Sequence, residues 1–519
     1  MPTALVVGCA LRFFRLGSAS LWSDEAFSYD VARLPFGHLR DLWNLTPPAG
    51  SPGWQAGSIL HVVATADAHP PLFYFLLREW MKLVAPNATP PAEWVLRFPC
   101  AVCSCVALYF FACLATRLLS QDGAVMAILF AATAQASIWA AQEARMYPLL
   151  SALVLGAAWS GVRAWLDDWR PGWVLFVILS IGAAYTQYLG LFSVVAFLLW
   201  TFTVAPRTRA SRRTRFLAIT CVALAFAPWM PVLAHQLATG QARGDVRGIT
   251  RSRILPSLAA TAVETTWGPS FPLRETASPT AYALLGLATL LLLASGVYTL
   301  GRWRPVRNAD PPVGPQPCAA RSLALLEVAL PTGGLALSGL LGGHTPFQPR
   351  FFMYLAPFAA LALAAVTMRP RLGPILLALL LGANCVSLYD WYFVPAWQRQ
   401  PVRQLVSALE ARTKPGDLVL VEQRFAEPAV LYYLRAPDVT VEPASPDMVK
   451  DGTLARLTRS HPSVWLLLLS PWTGDPDHRV ADWLGSHAQE DDTVIVPSYE
   501  PAYNGVLLHF RMCVAPPGT

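Results

Sequence analysis

Apolar runs of roughly 17–25 residues recur along residues 98–390, each long enough to cross the hydrocarbon core of a bilayer as a helix. Lipid offers backbone N–H and C=O groups no partners, so a spanning segment has to satisfy them internally. These runs are too long for barrel strands, which leaves helices. Composition agrees: 54% of the 519 residues are hydrophobic and 14% are charged, against about 25% charged in a soluble domain. The chain reads as a polytopic α-helical membrane protein.

Candidate spans fall at 2–16, 98–118, 122–140, 147–165, 172–187, 189–205, 216–236, 281–300, 322–341, 351–368 and 372–390, about eleven in all. "RTRASRRTR" (207–215), "RWRPVR" (302–307) and "RPR" (369–371) sit in short loops between apolar runs. Basic loops stay on the cytoplasmic side, which places the N-terminus inside a multi-pass cell-membrane protein and the C-terminus outside. The loops at 17–97, 141–146, 237–280 and 342–350 then face the extracytoplasmic side. The same placement accounts for the +7 net charge, so nucleic acid is not an expected partner.

The first span is short, with only about ten apolar residues before Arg12. Arg12 is expected to snorkel at the outer interface. Translation is expected to start upstream of Met1, and native protein whose mass begins at Met1 would refute that. No basic n-region marks a signal peptide. "YTQYLG" (185–190) either ends one helix or forms a break, and Glu327 is expected to pair with Arg321. The cysteines suggest neither a disulfide framework nor a zinc site: Cys100, Cys103, Cys105 and Cys113 share one apolar run, where Cys acts as a small hydrophobe.

Beyond residue 390 the pattern changes. "DLVLV" (417–421), "VWLLLL" (464–469), "TVIV" (493–496) and "GVLLHF" (505–510) read as strands, interleaved with helical segments near 399–412, 427–435 and 475–488. Residues 391–519 are therefore expected to form a small extracytoplasmic α/β domain after a membrane domain spanning 1–390.

Polar clusters gather in the loops assigned to the outer face: "DE" (24–25), "DAHPPLFYFLL" (67–77), "QEARMY" (142–147) and "HTPFQPRF" (344–351). Charged residues at membrane depth are costly and tend to be functional. The bland alternatives are a helix-start acid pair for Asp24 and Glu25, a polar cap for His69, and an interfacial ion pair for Glu143 and Arg145.

In this order, "SLWSDEAFS", "HPPLFYFLL", "LRFPCAV", "QEARMY" and "PFQPRFFMYLAPF" resemble the polyprenyl-phosphate-sugar-dependent glycosyltransferases of GT-C architecture. The nearest likeness is to glycosyltransferase family 39, the protein O-mannosyltransferases and lipid A aminoarabinose transferases. The resemblance implies Asp24 as catalytic base, with Glu25 orienting it or the substrate, and places His69 and Tyr74 near the donor. A phosphate leaving group needs positive charge rather than an acid, which Arg145, Arg350 or Arg97 can supply through fork-shaped hydrogen bonds. Glu143 is the expected second acid. Gln187 stands where the family more often has His, which weakens any metal or acid–base role there, and Tyr185 and Tyr188 read as interfacial aromatics.

The implied partners are a polyprenyl-phosphate-linked sugar, an extracytoplasmic hydroxyl acceptor (protein, lipid or cell-wall glycan) and the bilayer. No cofactor is required. A divalent cation is conceivable, but one His is too few ligands to support it. The competing reading is a transporter or flippase for polyprenyl-linked lipids, which would favour inverted repeats and polar residues near the midplane.

Overall fold

The computed structural model describes all residues except 43–56, 205–208, 240–253, 269–278, 303–315, 343–348, 470–474, 498–503, 513–519 and positions 372, 395, 396, 398, 399, 423, 424 and 437. Most of "RWRPVR" and residues 344–348 of "HTPFQPRF" thus lie outside the described residues.

Among the described residues, six helices are long and apolar enough to cross a membrane: Glu93–Leu118, Tyr147–Leu166, Arg212–Thr239, Cys318–Leu337, Arg350–Thr367 and Gly373–Phe393. A further pair, Gln121–Thr133 and Gln135–Ala141, meets the same test but bends by 49°. Shorter apolar helices cover Pro2–Phe13, Pro171–Ala184, Leu189–Thr203 and Leu284–Thr299. The "YTQYLG" stretch is a turn between two helices. In the expected loop 237–280, Ile254–Trp267 is helical, too short to span but anchored through Trp267, whose Nε1 donates to Thr289 Oγ1 at 3.0 Å.

The chain folds as two compact units. One comprises Met1–Leu16, Leu34–Pro86 and Val95–Asp390; the other comprises Gly17–Arg33, Asn87–Trp94 and Trp391–Thr519. The first unit is helical, around a core that includes Phe111, Leu155, Phe197, Trp200 and Leu361.

Arg12 is 2% exposed, not snorkelling. Its guanidinium donates to Ser104 Oγ at 2.7 Å and to the carbonyls of Gly8 (2.7 Å), Ala132 (3.2 Å) and Ala131 (3.3 Å). Ala131 and Ala132 are in the last turn of Gln121–Thr133, just before the 49° break, where carbonyls lack the N–H donors of a next helical turn. Arg12 supplies the missing donors from a neighbouring helix. Gly8 permits that approach, since a Cβ there would sit 2.9 Å from the Ala132 Cβ. Arg12→Ala is expected to cost about 2–4 kcal/mol, because buried helix-end carbonyls lose charged donors. Thermal denaturation of the detergent-purified protein reads this, and an unchanged melting temperature would contradict it.

Two other expectations change. The helix Arg209–Phe226 begins inside the basic run placed in a loop. There Arg215 is buried, donating to Thr201 Oγ1 at 3.1 Å with its guanidinium over the Phe202 ring at 4.1 Å. A planar guanidinium stacks on aromatic faces and so can enter an apolar layer. Glu327 is buried and lines a small cavity with Ser180 and Ser193. Residues 321 and 327 are six apart on one helix and so fall on different faces.

The second unit carries a five-stranded sheet of β1 (Leu418–Glu422), β2 (Thr440–Ala444), β3 (Ser463–Leu468), β4 (Ala488–Val496) and β5 (Gly505–Met512), in the order β2-β1-β3-β5-β4. β1 is parallel to β2 and β3, while β5 is antiparallel to β3 and β4. β1 and β3 are continuous apolar runs because both faces of the sheet are covered. Strand β2 escaped the sequence reading because it is a half-buried edge containing Pro443.

Candidate active site

The helix Ile59–Thr65 is capped by Ser58, whose side chain accepts from the His61 N–H. Two prolines then turn the chain into Leu72–Val84, whose first N–H donates to the Tyr185 carbonyl at 3.0 Å. The turn projects Asp67, His69 and Tyr74 together. Asp67 Oδ1 accepts from the Ala68 N–H at 2.7 Å and lies 2.8 Å from His69 Nδ1, and Tyr74 donates to Oδ2 at 2.5 Å. A carboxylate only accepts, so His69 Nδ1 carries the proton in this contact.

Burial alone would raise the Asp67 carboxyl. The charge and hydrogen bond of His69, the charge of Arg145 and the Tyr74 hydroxyl outweigh it and hold the group below its ordinary value. Behind it, Gln236 Nε2 donates to the Asp67 carbonyl at 2.9 Å and to that of Val63 at 2.8 Å. Gln236 Oε1 accepts from Tyr188 at 2.6 Å, and the Tyr188 oxygen accepts from Trp229 Nε1 at 2.9 Å. Tyr188 is therefore part of a hydrogen-bonded relay, not a bare interfacial aromatic.

"QEARMY" forms a tight turn between Gln135–Ala141 and Tyr147–Leu166, with Glu143 (2% exposed) and Arg145 (4%) both buried. Loops are rarely buried, because their polar groups then need partners. Here the Arg145 N–H donates to the Glu143 carbonyl at 2.8 Å, and Cys100 Sγ donates to the Arg145 carbonyl at 3.3 Å. Gln142 Nε2 donates to the Phe14 carbonyl at 2.7 Å, and Arg97 Nη1 to that of Leu16 at 3.2 Å. These two motif residues hold the end of the first helix. The Tyr147 and Phe351 rings lie 6.4 Å apart, which brings the segment of Arg350 beside "QEARMY". The Arg350 guanidinium lies over Phe351 at 5.6 Å.

In the second unit, Asp24 (7% exposed) and Glu25 (1%) occupy the first turn of the helix Ser23–Arg33. Carboxylates suit that position, where unpaired N–H groups concentrate positive potential. Farther along the same helix, burial pushes the Asp30 carboxyl up to about 6, opposed by Arg33. Among the described residues, no group of three or more His, Cys, Asp or Glu is arranged to hold a metal ion.

Residues 68–235 match the family model described as dolichyl-phosphate-mannose-protein mannosyltransferase. Over that segment the chain is similar to family 39 glycosyltransferases. The match takes in His69, Tyr74, Arg97, Glu143 and Arg145, and begins one residue after Asp67. No curated protein sequence matches the chain. Among solved structures, ArnT from Cupriavidus metallidurans bound to undecaprenyl phosphate is similar at 12% identity and a TM-score of 0.46, covering 99% of each chain. The Archaeoglobus fulgidus oligosaccharyltransferase in complex with Zn and sulfate gives 12% identity and a TM-score of 0.49, over 91% of this chain and 68% of that one. The mycobacterial arabinofuranosyltransferase AftD gives 16% and 0.45, over 98% of this chain and 41% of its own.

The structure thus joins His69 and Tyr74 through Asp67 and sets the charge of Arg145 against that carboxylate. Asp67 is the residue the sequence reading passed over. Its signal was present in "DAHPP", a carboxylate two residues before a His in a chain poor in charge. Gln236 carried no such signal, because the two carbonyls it donates to are more than 160 residues away.

Proposed function

We propose that this protein is an inverting membrane glycosyltransferase that moves one sugar from a polyprenyl phosphate to an extracytoplasmic hydroxyl. The observation that carries the reading is the family match over 68–235, a segment that contains the buried polar turn at 142–146. In this reading the chain crosses the membrane about eleven times, with the N-terminus cytoplasmic, and residues 391–519 form an outer α/β domain.

The acceptor oxygen attacks the anomeric carbon as the bond to phosphate breaks, which inverts the centre and releases polyprenyl phosphate. Asp24 takes the acceptor proton, because an alcohol becomes a competent nucleophile only as that proton leaves. Glu25 orients Asp24 or the acceptor. Arg145 and Arg350 stabilise the departing phosphate, with Arg97 in support and Glu143 as second acid. His69 and Tyr74, fixed by Asp67, bind the donor side. The isoprenoid tail supplies binding energy that places the anomeric carbon. No step in this scheme calls for a metal or other cofactor.

The test is a deletion strain whose membranes are supplied with labelled polyprenyl-phosphate sugars extracted from the source cells. Label should reach an acceptor only when the gene is restored, and mass analysis of glycolipids and glycoproteins identifies both sugar and acceptor. Movement of labelled lipid across the membrane without transfer would instead establish the flippase reading.

A further inference from the structure

The segment after the last apolar helix does more than add an appendage, because it holds the chain on which the acidic pair sits. Gln400 is buried, and its Oε1 accepts from the Ser23 N–H at 3.1 Å and from Ser23 Oγ at 2.7 Å. Ser23 is the first residue of the helix, so its N–H is among those without an intrahelical partner. A helix usually caps such a group with the residue just before it. Here that residue is Trp22, which has no side-chain acceptor, and the acceptor comes from 377 residues away.

Neighbouring contacts fix the approach to the helix. Tyr433 accepts from the Leu21 N–H at 2.7 Å and donates to Glu93 at 2.8 Å. Arg403 pairs with Glu93 and donates to the carbonyls of Gly17, Ser18 and Ala19 at 3.2–3.3 Å. Its own N–H donates to Ser20 Oγ at 3.0 Å. Farther along, Tyr29 meets Tyr432 edge to face at 5.4 Å.

We propose that Gln400 is a positioning residue for the transfer reaction: by capping Ser23 it sets the start of the helix, and so the direction of Asp24 and Glu25. The inference rests on the reading in which Asp24 is the proton acceptor. Gln400 itself touches neither donor nor acceptor. Its effect falls on the rate of the chemical step, because a misdirected base is lost only in the transition state.

The experiment uses the full purified chain in detergent and membranes supplied with the labelled donors. Gln400→Leu is expected to raise amide exchange across residues 20–28 by about tenfold, leaving the helix Tyr147–Leu166 unchanged. It should lower kcat about tenfold with KM for the donor unmoved. Gln400→Glu keeps the acceptor and should restore the exchange protection. Where Gln400→Leu does not fold, Ser23→Ala removes the 2.7 Å bond alone and should give a smaller rise at the same amides. Wild-type exchange at 20–28 in the folded variant overturns the proposal. Should Asp24→Asn retain full transfer, the catalytic reading fails whatever Gln400 does. If Asp24→Asn abolishes transfer while Gln400→Leu keeps a wild-type kcat, only the positioning role fails.

Discussion

Asp24→Asn is expected to lower transfer by about a thousandfold while the protein folds and inserts normally, as loss of a general base costs between about 10² and 10⁴. Asn matches Asp in shape and still accepts hydrogen bonds, so the helix Ser23–Arg33 should keep its first turn. What it cannot do is take a proton from the acceptor as the new bond forms. Donor binding does not use that step, so the loss should appear in kcat, with KM for the polyprenyl-phosphate sugar nearly unchanged. Glu25→Gln is the matched control, with about a tenfold loss for a helper that orients but does not accept the proton. Single-turnover transfer in membranes of the complemented deletion strain measures both. Full activity in Asp24→Asn would remove the base assignment.

Asp67→Asn is the second large effect, and it acts first on stability. The carboxylate accepts from Ala68, His69 and Tyr74 and faces the charge of Arg145. Asn keeps one acceptor oxygen but turns an amide toward groups that are themselves donors, and it leaves the Arg145 charge without this counter-charge. Breaking a buried charge network of this kind costs about 3 kcal/mol. Transfer should fall about a hundredfold through misplaced His69 and Tyr74. The pH dependence gives an independent reading. Because the folded carboxyl lies below its ordinary value, its stabilisation is complete above about pH 4 and is lost as pH falls through the lower folded value. Melting curves of the purified protein from acid to neutral pH should show that loss in the wild type and its absence in Asp67→Asn. Equal curves would show that the network adds no net stability.

Much of the architecture was legible in the residue pattern. Apolar length, not any motif, marks the helices: among the described residues ten of the eleven expected spans begin within about five residues of a helix, and the exception is 216–236, whose helix begins at Arg209. The span 122–140 starts where expected but is broken at Ala134, where no Pro or Gly announces a bend. Strands β1 and β3 were readable as short apolar runs, whereas the half-buried, proline-containing edge β2 was not. At the candidate site, residue types and order identified "QEARMY" and "HPPLFYF", because charge in an apolar chain stands out by itself. Their partners did not stand out. Asp67 and Gln142 look like ordinary loop polars until the groups they satisfy are known.

The sequence by itself determined that this is a helical membrane protein with polar motifs at helix ends and a small α/β region after the last apolar run. Those properties follow from local periodicity, run length and the placement of arginine. Only the tertiary structure decided that Arg12 closes the end of a broken helix, that Asp67 gathers His69, Tyr74 and the charge of Arg145, and that Gln400 caps the helix of Asp24 and Glu25. The physical reason is common to all three. A buried donor, acceptor or charge has to be satisfied, and in a charge-poor interior the partner comes from wherever the fold brings it, which no local pattern records.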